Sequence, residues 1–475
     1  MALSKRQYTL AATALGSSLA FIDGTAVIVA LPTMQKALNL GLAGEQWIFL
    51  SYSLSLAALY LVGGALGDRY GRRKIFNYGV IGFALASVLA GLAPNAAVII
   101  VARVLQGIGG AFVTTNSLAW LRSVYGDHAG KAIGLWTALT GISTVIAPPL
   151  GGALTQWLSW RYIFYINLPL AFLIIYWSAQ AVPDKEKEAE PTPLDIPGSL
   201  LIASGFGFLT YYLVEGAKTG FSRLWWTLLI GGVSLAAFVA VELKSRHPML
   251  PFKFFKIRNF SFSNLETLLL YGALNGVFIY FTLYLQFLGL TPLSSSLFLV
   301  PTSLVLIALA RYFGGLADLH GPRMLLSVGP VLIAAGSLLF SIINSKNDIW
   351  LRGSLGIVLF SLGLAMIVAP ITTTALKSVP SKFAGIASGL NNTVARIGGL
   401  IVIAIAGMII SIIFASSTTD KSAVPLDLHQ QSPSLRQASH HGYQVAMWSV
   451  AGLALFSAAV GWFGISDKLA REKIT

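Results

Sequence analysis

A helix needs about 20 apolar residues to cross the hydrocarbon core of a bilayer, and this sequence supplies such a run repeatedly. The runs fall near 8–31, 46–66, 75–93, 96–118, 130–154, 161–181, 195–215, 223–242, 261–288, 294–313, 324–343, 350–370, 384–413 and 442–465. In lipid each segment must satisfy its own backbone hydrogen bonds, so the expected fold class is an all-α polytopic membrane protein of 14 transmembrane helices. Charged residues make up 11% of the 475 positions, against roughly 25% in soluble domains. That is too little charge to coat a water-exposed globule.

Lys5 and Arg6 precede the first run as they would in a signal peptide. The run is too long for a signal core and is followed by many others, so it is expected to remain as the first helix. With no cysteine in the chain, disulfides, thiolate metal sites and a cysteine nucleophile are excluded. The net charge of +14 raises the question of nucleic acid, and the placement of the charges answers it. If the first terminus is cytoplasmic, 22 of the 32 Lys and Arg residues lie inside, 8 lie outside, and Arg103 and Arg396 fall within spans. Such a bias is a topology signal facing anionic head groups, not a nucleic-acid surface. Both termini are expected in the cytoplasm, in a prokaryotic cell membrane.

Two polar stretches interrupt the runs. Residues 183–193 suit a cytoplasmic linker, and 414–440 an external loop. The segment Pro248 to Phe260 alternates Phe with Lys and Arg, as a piece lying at the inner interface would. An internal repeat divides the rest. GDRYGRR at 67–73 recurs as ADLHGPR at 317–323, an offset of 250, and AGKAIGL at 129–135 recurs as AGIASGL at 384–390, an offset of 255. Spans 1–6 therefore correspond to spans 9–14. The expected organisation is a six-helix half over 1–182, a linker over 183–194, two inserted helices over 195–242, an interfacial segment over 243–260 and a second six-helix half over 261–475. Many transporters are built from such repeats, with the substrate site between the halves near midplane.

Five ordered motifs carry a family resemblance across nearly the whole chain. GALGDRYGRRK at 64–74 resembles the signature loop of the major facilitator superfamily. IDGTAVIVALP at 22–32 is similar to the first-span motif of its fourteen-span drug:proton antiporters, and RVLQGIGGA at 103–111 to their fourth-span arginine motif. GLWTALTGISTVIAPPLGG at 134–152 resembles their fifth-span antiporter motif, with Ser143 and Ala147 where that pattern has glycine, and WRYIFYINLP at 160–169 also fits. The resemblance implies the major facilitator fold, two six-helix halves plus two inserted helices. It also implies a gating role for Gly64, Asp68, Gly71, Arg72 and Arg73, echoed more weakly by Asp318 and Arg323. Gly141, Pro148, Gly151 and Gly152 take the place of the antiporter motif.

Each feature also has a plainer explanation. A basic loop can be a topology signal alone, although Asp68 among four cations exceeds what that requires. Small residues and prolines in the fifth span can reflect ordinary packing. Ionisable residues within lipid are costly and default to function, and here they are Asp23, Arg103, Glu266 and Arg396. Glu215 and Glu242 stand at span ends, as rim residues. Asp23 and Arg103 each lie about 8 residues from the outer end of their spans, roughly 12 Å at the helical rise, so they share a depth. They are expected to pair, with proton exchange at Asp23 when the partner withdraws. A static ion pair is the alternative. Glu266 is a further coupling candidate, near enough to an end to snorkel. Asn116, Trp136, Asn275, Gln286, Asn391, Asn392 and Arg396 are candidates for lining a substrate cavity.

All six histidines fall in loops or at span ends, so no membrane-embedded histidine relay or metal cluster is expected, and His440 and His441 should be solvated. GDHAGKA at 126–132 lacks the glycine spacing and the hydroxyl of a phosphate loop, so no cofactor or nucleotide is expected. No HExxH, aspartate pair or Ser/His set lies within the spans, which argues against an enzyme, and a receptor would not need the two-halves repeat. The chain is expected to act as a monomer. It would export hydrophobic drug-like or lipid-like molecules in exchange for protons; the alternative is an importer or facilitator of a polar metabolite.

Overall fold

The structure, a computed structural model, describes residues 4–126, 129–182, 196–245, 252–380, 383–418, 423–428 and 432–467. The expected linker 183–194, and His128, His247 and His429, lie outside the described residues. Most of the described residues are helical. Among the described residues thirteen helices are long and apolar enough to cross a membrane, or fourteen when the helix over 42–70, bent by 49°, is counted as one span. We label them α1 (Lys5–Ala37), α2 (Leu42–Tyr70), α3 (Arg72–Leu92), α4 (Ala96–Tyr125), α5 (Ala129–Trp157), α6 (Tyr162–Gln180) and α7 (Ile196–Thr219). The series continues with α8 (Trp225–Lys244), α9 (Arg258–Phe287), α10 (Pro292–His320), α11 (Arg323–Ser341), α12 (Lys346–Lys377), α13 (Ala384–Ser416) and α14 (Pro433–Gly464). The all-α polytopic class read from the apolar runs holds.

Local chemistry sets several helix boundaries. Ser4 and Gln7 form a capping box at the start of α1, the Ser4 hydroxyl accepting from Gln7 N and the Gln7 amide from Ser4 N. Asn95 caps α4, and Thr291 caps α10 ahead of Pro292, whose ring suits the first helical turn. The joints after α2 and α10 turn on Gly71 (φ +96°) and Gly321 (φ +91°), a backbone region that side chains disfavour. These two glycines are the matched positions of the internal repeat.

The chain forms two compact units. The first comprises Met1–Leu40, Trp47–Gly207 and Gly231–Met249; the second comprises Gly41–Gln46, Phe208–Ile230 and Leu250–Thr475. In the first, α1 packs on α4, α5 and α6, and α3 packs on α4 and α6. In the second, α9 packs on α12, α13 and α14, and α11 packs on α12 and α14, the same pairing in the same order. Glycines allow the closest approaches. A Cβ on Gly79 would lie 2.9 Å from the Gly109 carbonyl where α3 meets α4, and one on Gly329 would lie 3.0 Å from the Gly363 carbonyl where α11 meets α12.

Three expectations change. α14 starts at Pro433 rather than near 442, because the polar residues ahead of its apolar run continue the helix. This takes His440 out of a loop, and with a half-buried ring bonded to Tyr284 it is not a solvated side chain. α2 starts at Leu42 rather than 46, which places Glu45 within the helix and buries it. Glu242, expected on a rim, is also buried, at 2% exposure.

Candidate functional site

The first unit holds a buried polar network. Asp23 on α1 and Arg103 on α4 are both fully buried, and Arg103 Nη1 donates to Asp23 Oδ2. The other carboxylate oxygen, Oδ1, accepts from Gln106 Nε2 at 3.1 Å and from Asn167 Nδ2 at 3.0 Å. Three donors from two further helices, α4 and α6, thus converge on one acid of α1. Arg103 Nη1 also donates to Gln106 Oε1 at 2.8 Å, which fixes the Gln106 amide so that its NH₂ faces Asp23. Both amides meet again at Ser87 of α3, Gln106 Nε2 at 2.8 Å and Asn167 Nδ2 at 3.2 Å from its hydroxyl.

The guanidinium is held from other sides too. Its Nε donates to the Ile48 carbonyl of α2 at 3.0 Å, and its Cζ lies 4.2 Å from the centre of the Tyr52 ring. The Tyr52 hydroxyl donates to the Ala20 carbonyl of α1 at 3.0 Å. A buried ion pair is tolerated when its remaining hydrogen-bonding capacity is met. Here that capacity is almost met: Arg103 Nη2 and Asn167 Oδ1 have no hydrogen-bond partner among the described residues. The arrangement surrounds one acid with donors while keeping one donor and one acceptor in reserve.

One glycine of α5 bears on this site through α1. Gly151 of α5 packs against Ala26, three residues from Asp23, while Gly141 has nothing within 4 Å of a built Cβ. Gly152 is buried, and Pro148 and Pro149 lie within an unbroken α5.

The gating candidates lie apart from the network. Asp68 pairs with Arg72, its Oδ1 accepting from Nε at 3.0 Å and from Nη2 at 2.9 Å, and Arg72 Nη1 reaches the Ala119 carbonyl of α4 at 3.2 Å. Gly64 and Arg73 are half-buried nearby on α2 and α3. Asp318 pairs with Lys377 of α12 at 2.6 Å, not with the neighbouring Arg323. Arg323 instead donates from Nε to the Trp462 carbonyl of α14 at 2.7 Å. The helix pairing sets this: α10 packs on α12 and α11 on α14, which brings these distant partners within reach.

The cavity candidates scatter. Asn116 is spent on tying α4 to α2, donating to the Gly63 and Phe112 carbonyls at 2.9 Å each. Trp136 donates to the Thr13 carbonyl at 3.3 Å, and Asn275 to Tyr271 at 2.7 Å. Asn391 donates to Asn264 at 3.2 Å and Thr267 at 2.9 Å, whereas Asn392 is exposed and bonds back to Ser388. Gln286 is buried and Arg396 half-buried. Glu266 lies buried in the second unit, not with Asp23.

Four network residues escape a reading by charge alone: Gln106, Asn167, Ser87 and Tyr52. Gln106 stands three residues after Arg103, on the same helix face, and Asn167 is an amide inside an otherwise apolar run. Both signals are present in RVLQG and in INLP. In the second unit Gln46 is also new, its Nε2 donating to Tyr280 Oη at 2.9 Å and to the Ile403 carbonyl at 3.1 Å.

Comparison with known proteins agrees with the fold and the motifs. The family model described as Major Facilitator Superfamily matches residues 13–403. The chain is 33% identical over 411 residues to the multidrug resistance protein Stp of Mycobacterium tuberculosis, covering 85% of this chain and 75% of that one. It is 31% identical over 465 residues to the puromycin resistance protein pur8 of Streptomyces alboniger, covering 95% and 89%. Among solved structures it is similar to a D-xylose-proton symporter, with a TM-score of 0.68 at 14% identity over 98% and 99% of the two chains, which speaks for the fold alone. With its spanning helices, its recurring helix pairing and a family match over most of its length, this chain belongs to the Major Facilitator Superfamily and is a multi-pass membrane transporter.

Proposed function

We infer that the chain is a proton-driven antiporter that exports hydrophobic, drug-like small molecules across the cell membrane by alternating access. The observation that carries the proton is the Asp23 site. An acid held by three donors in a fully buried setting is stable as an anion, and it becomes costly as an anion once Arg103 is drawn away. Alternation between those two environments is what loading and releasing a proton requires. The relatives named for multidrug and puromycin resistance support drug-like cargo. The few acids within the spans favour neutral or singly charged compounds over dications. The gating role of the Asp68 loop and the packing role of the Gly151 face belong to the same reading.

The test uses the full chain in proteoliposomes, with ethidium and puromycin as probes and an imposed pH gradient. Uphill movement of either probe that collapses with the gradient is expected, as is its loss in Asp23→Asn with probe binding retained. Uphill efflux by Asp23→Asn would remove the coupling role. A wild-type chain that equilibrates probes without regard to the gradient would remove proton antiport altogether.

A further inference from the structure

We propose that Glu266 and Ser457 form a second proton-binding site, within the second unit and separate from Asp23. Glu266 is fully buried on α9, eight residues in from Arg258, and neither of its carboxyl oxygens has a hydrogen-bond partner among the described residues. Its position is set by a glycine on α14. A Cβ built on Gly461 would lie 3.3 Å from Glu266 Oε1 and 2.4 Å from the Leu326 carbonyl of α11. The carboxyl therefore occupies a notch that any side chain at 461 would close. One turn earlier on the same face of α14, Ser457 is also fully buried, and its hydroxyl has no partner. Buried polar groups are nearly always satisfied, and each exception calls for an explanation. Here the exceptions fall on α9 and on the α14 face that packs over it.

The cations on neighbouring elements are held elsewhere or exposed. Arg258 of α9 donates to the Gly464 carbonyl at 2.9 Å and the Phe463 carbonyl at 2.7 Å. Arg323 of α11 holds the Trp462 carbonyl at 2.7 Å, and its own N–H donates to Asp467 Oδ1 at 3.0 Å. Lys377 of α12 is paired with Asp318, Lys253 of the turn before α9 lies over the Phe254 and Phe383 rings, and Lys256 is exposed. Arg396 of α13 makes its own contact. Among the described residues, none of these forms an ion pair with Glu266. A bare carboxylate here would be an uncompensated buried charge, and a proton on the carboxyl removes that charge. A metal cation is a poor alternative, because a hard cation wants six or more oxygens and this site offers three.

The same geometry ties release of the proton to movement. Arg258 and Arg323 clamp the last turn of α14 by its carbonyls, directly beyond Gly461. Displacing that turn opens the notch, frees two guanidinium groups, and lets the carboxylic acid pass its proton to water and remain as carboxylate. Glu266 thus acts in the antiport inferred above, on which this proposal rests, as a store whose release follows the end of α14.

Infrared difference spectroscopy on the purified full chain tests the site without any transported probe. The wild type is expected to show a carboxylic-acid C=O band that shifts in D₂O and disappears on alkaline titration. The band should be lost in Glu266→Gln, kept in Asp23→Asn, and shifted in titration midpoint in Ser457→Ala. Absence of the band from the wild type, or its survival in Glu266→Gln, overturns the site, and an unmoved midpoint in Ser457→Ala removes the serine. Should Glu266→Gln fail to fold, Glu266→Asp replaces it and must move the frequency or midpoint of the band; a band that Glu266→Asp leaves in place belongs to another buried acid, such as Glu45 or Glu242, and overturns the site. Ethidium flux then separates the two claims. If wild-type flux ignores the pH gradient the antiport reading fails while the spectra still judge Glu266. If wild-type flux is coupled, Glu266→Gln must carry fewer protons per ethidium.

Discussion

Gly151 of α5 and Ala26 of α1 touch so closely that a Cβ at 151 would lie 2.8 Å from both the Cβ and the carbonyl oxygen of Ala26. That contact falls one helical turn from Asp23, so the small-residue face of α5 fixes the helix that carries the buried acid. Overpacking of this kind costs about 1–3 kcal/mol. Gly151→Val is expected to lower the thermal unfolding temperature of the purified chain and to depress gradient-driven efflux. Gly141→Ala, where nothing stands within 4 Å, should change neither. Equal melting temperatures for the two variants would show that α5 yields at no cost.

Asn167 gives Asp23 one of its three donors and shares Ser87 with Gln106. Hydrogen bonds to charged groups contribute about 1.5–3 kcal/mol. Asn167→Ala should therefore weaken coupled efflux by roughly tenfold or more, on the scale of 1.4 kcal/mol per decade, while uncoupled equilibration of the probe persists. Asn167→Asp should be worse, since it sets a second carboxylate about one hydrogen bond from the first. Full coupling in Asn167→Asp would show that the amide donor is dispensable.

The two ion pairs at the repeated joints differ in reach. Asp68 and Arg72 are one turn apart in sequence, whereas Asp318 and Lys377 join α10 to α12. All four side chains are substantially exposed, so each pair should be worth at most about 1 kcal/mol of stability. Asp68→Asn should slow exchange with the fold intact, and Asp318→Asn should slow it less. Lys377→Met should copy Asp318→Asn, and the double variant should add nothing. Additive losses in rate would show that the two residues act separately.

At the far end of α9 the Tyr284 hydroxyl donates to the Ile343 carbonyl at 2.8 Å and lies 2.6 Å from His440 Nδ1, with the Tyr443 ring stacked on it at 3.8 Å. Because the single phenolic hydrogen goes to Ile343, the histidine nitrogen must be the donor to Tyr284. Tyr284→Phe leaves a buried carbonyl and a ring N–H unmatched, and should cost about 1–3 kcal/mol in chemical denaturation. His440→Asn, which can still donate, should cost less. The reverse ranking would place the donor on tyrosine.

Much of this was legible in the residues themselves. Equal depths along two helices were enough to bring Asp23 and Arg103 together, because an apolar run fixes how far each residue sits from the surface. The repeat at 67–73 and 317–323 foretold two joints that both require glycine at positive φ. Helix starts were harder. Glu45 and His440 sit in polar turns ahead of the apolar runs, where hydropathy sees a loop and the backbone has already begun to coil. Lys377 was hidden for a different reason: loop counting finds neighbours in sequence, and its partner stands 59 residues away on another helix. Asn167 escaped because an uncharged amide carries little weight in a search for charge, although burial makes its hydrogen bonds decisive.

The Arg103 guanidinium holds an α1 side chain through Nη1 and the main chain of α2, at Ile48, through Nε. Its atoms are coplanar and cannot flex between those two grips. A shift at the acid end is therefore passed on as a rotation of the whole plane, and the carbonyl at the other end must tilt with it or let go. One rigid side chain works here as a crank: whatever displaces the acid at one end sets a displacement that the backbone at the other has to follow.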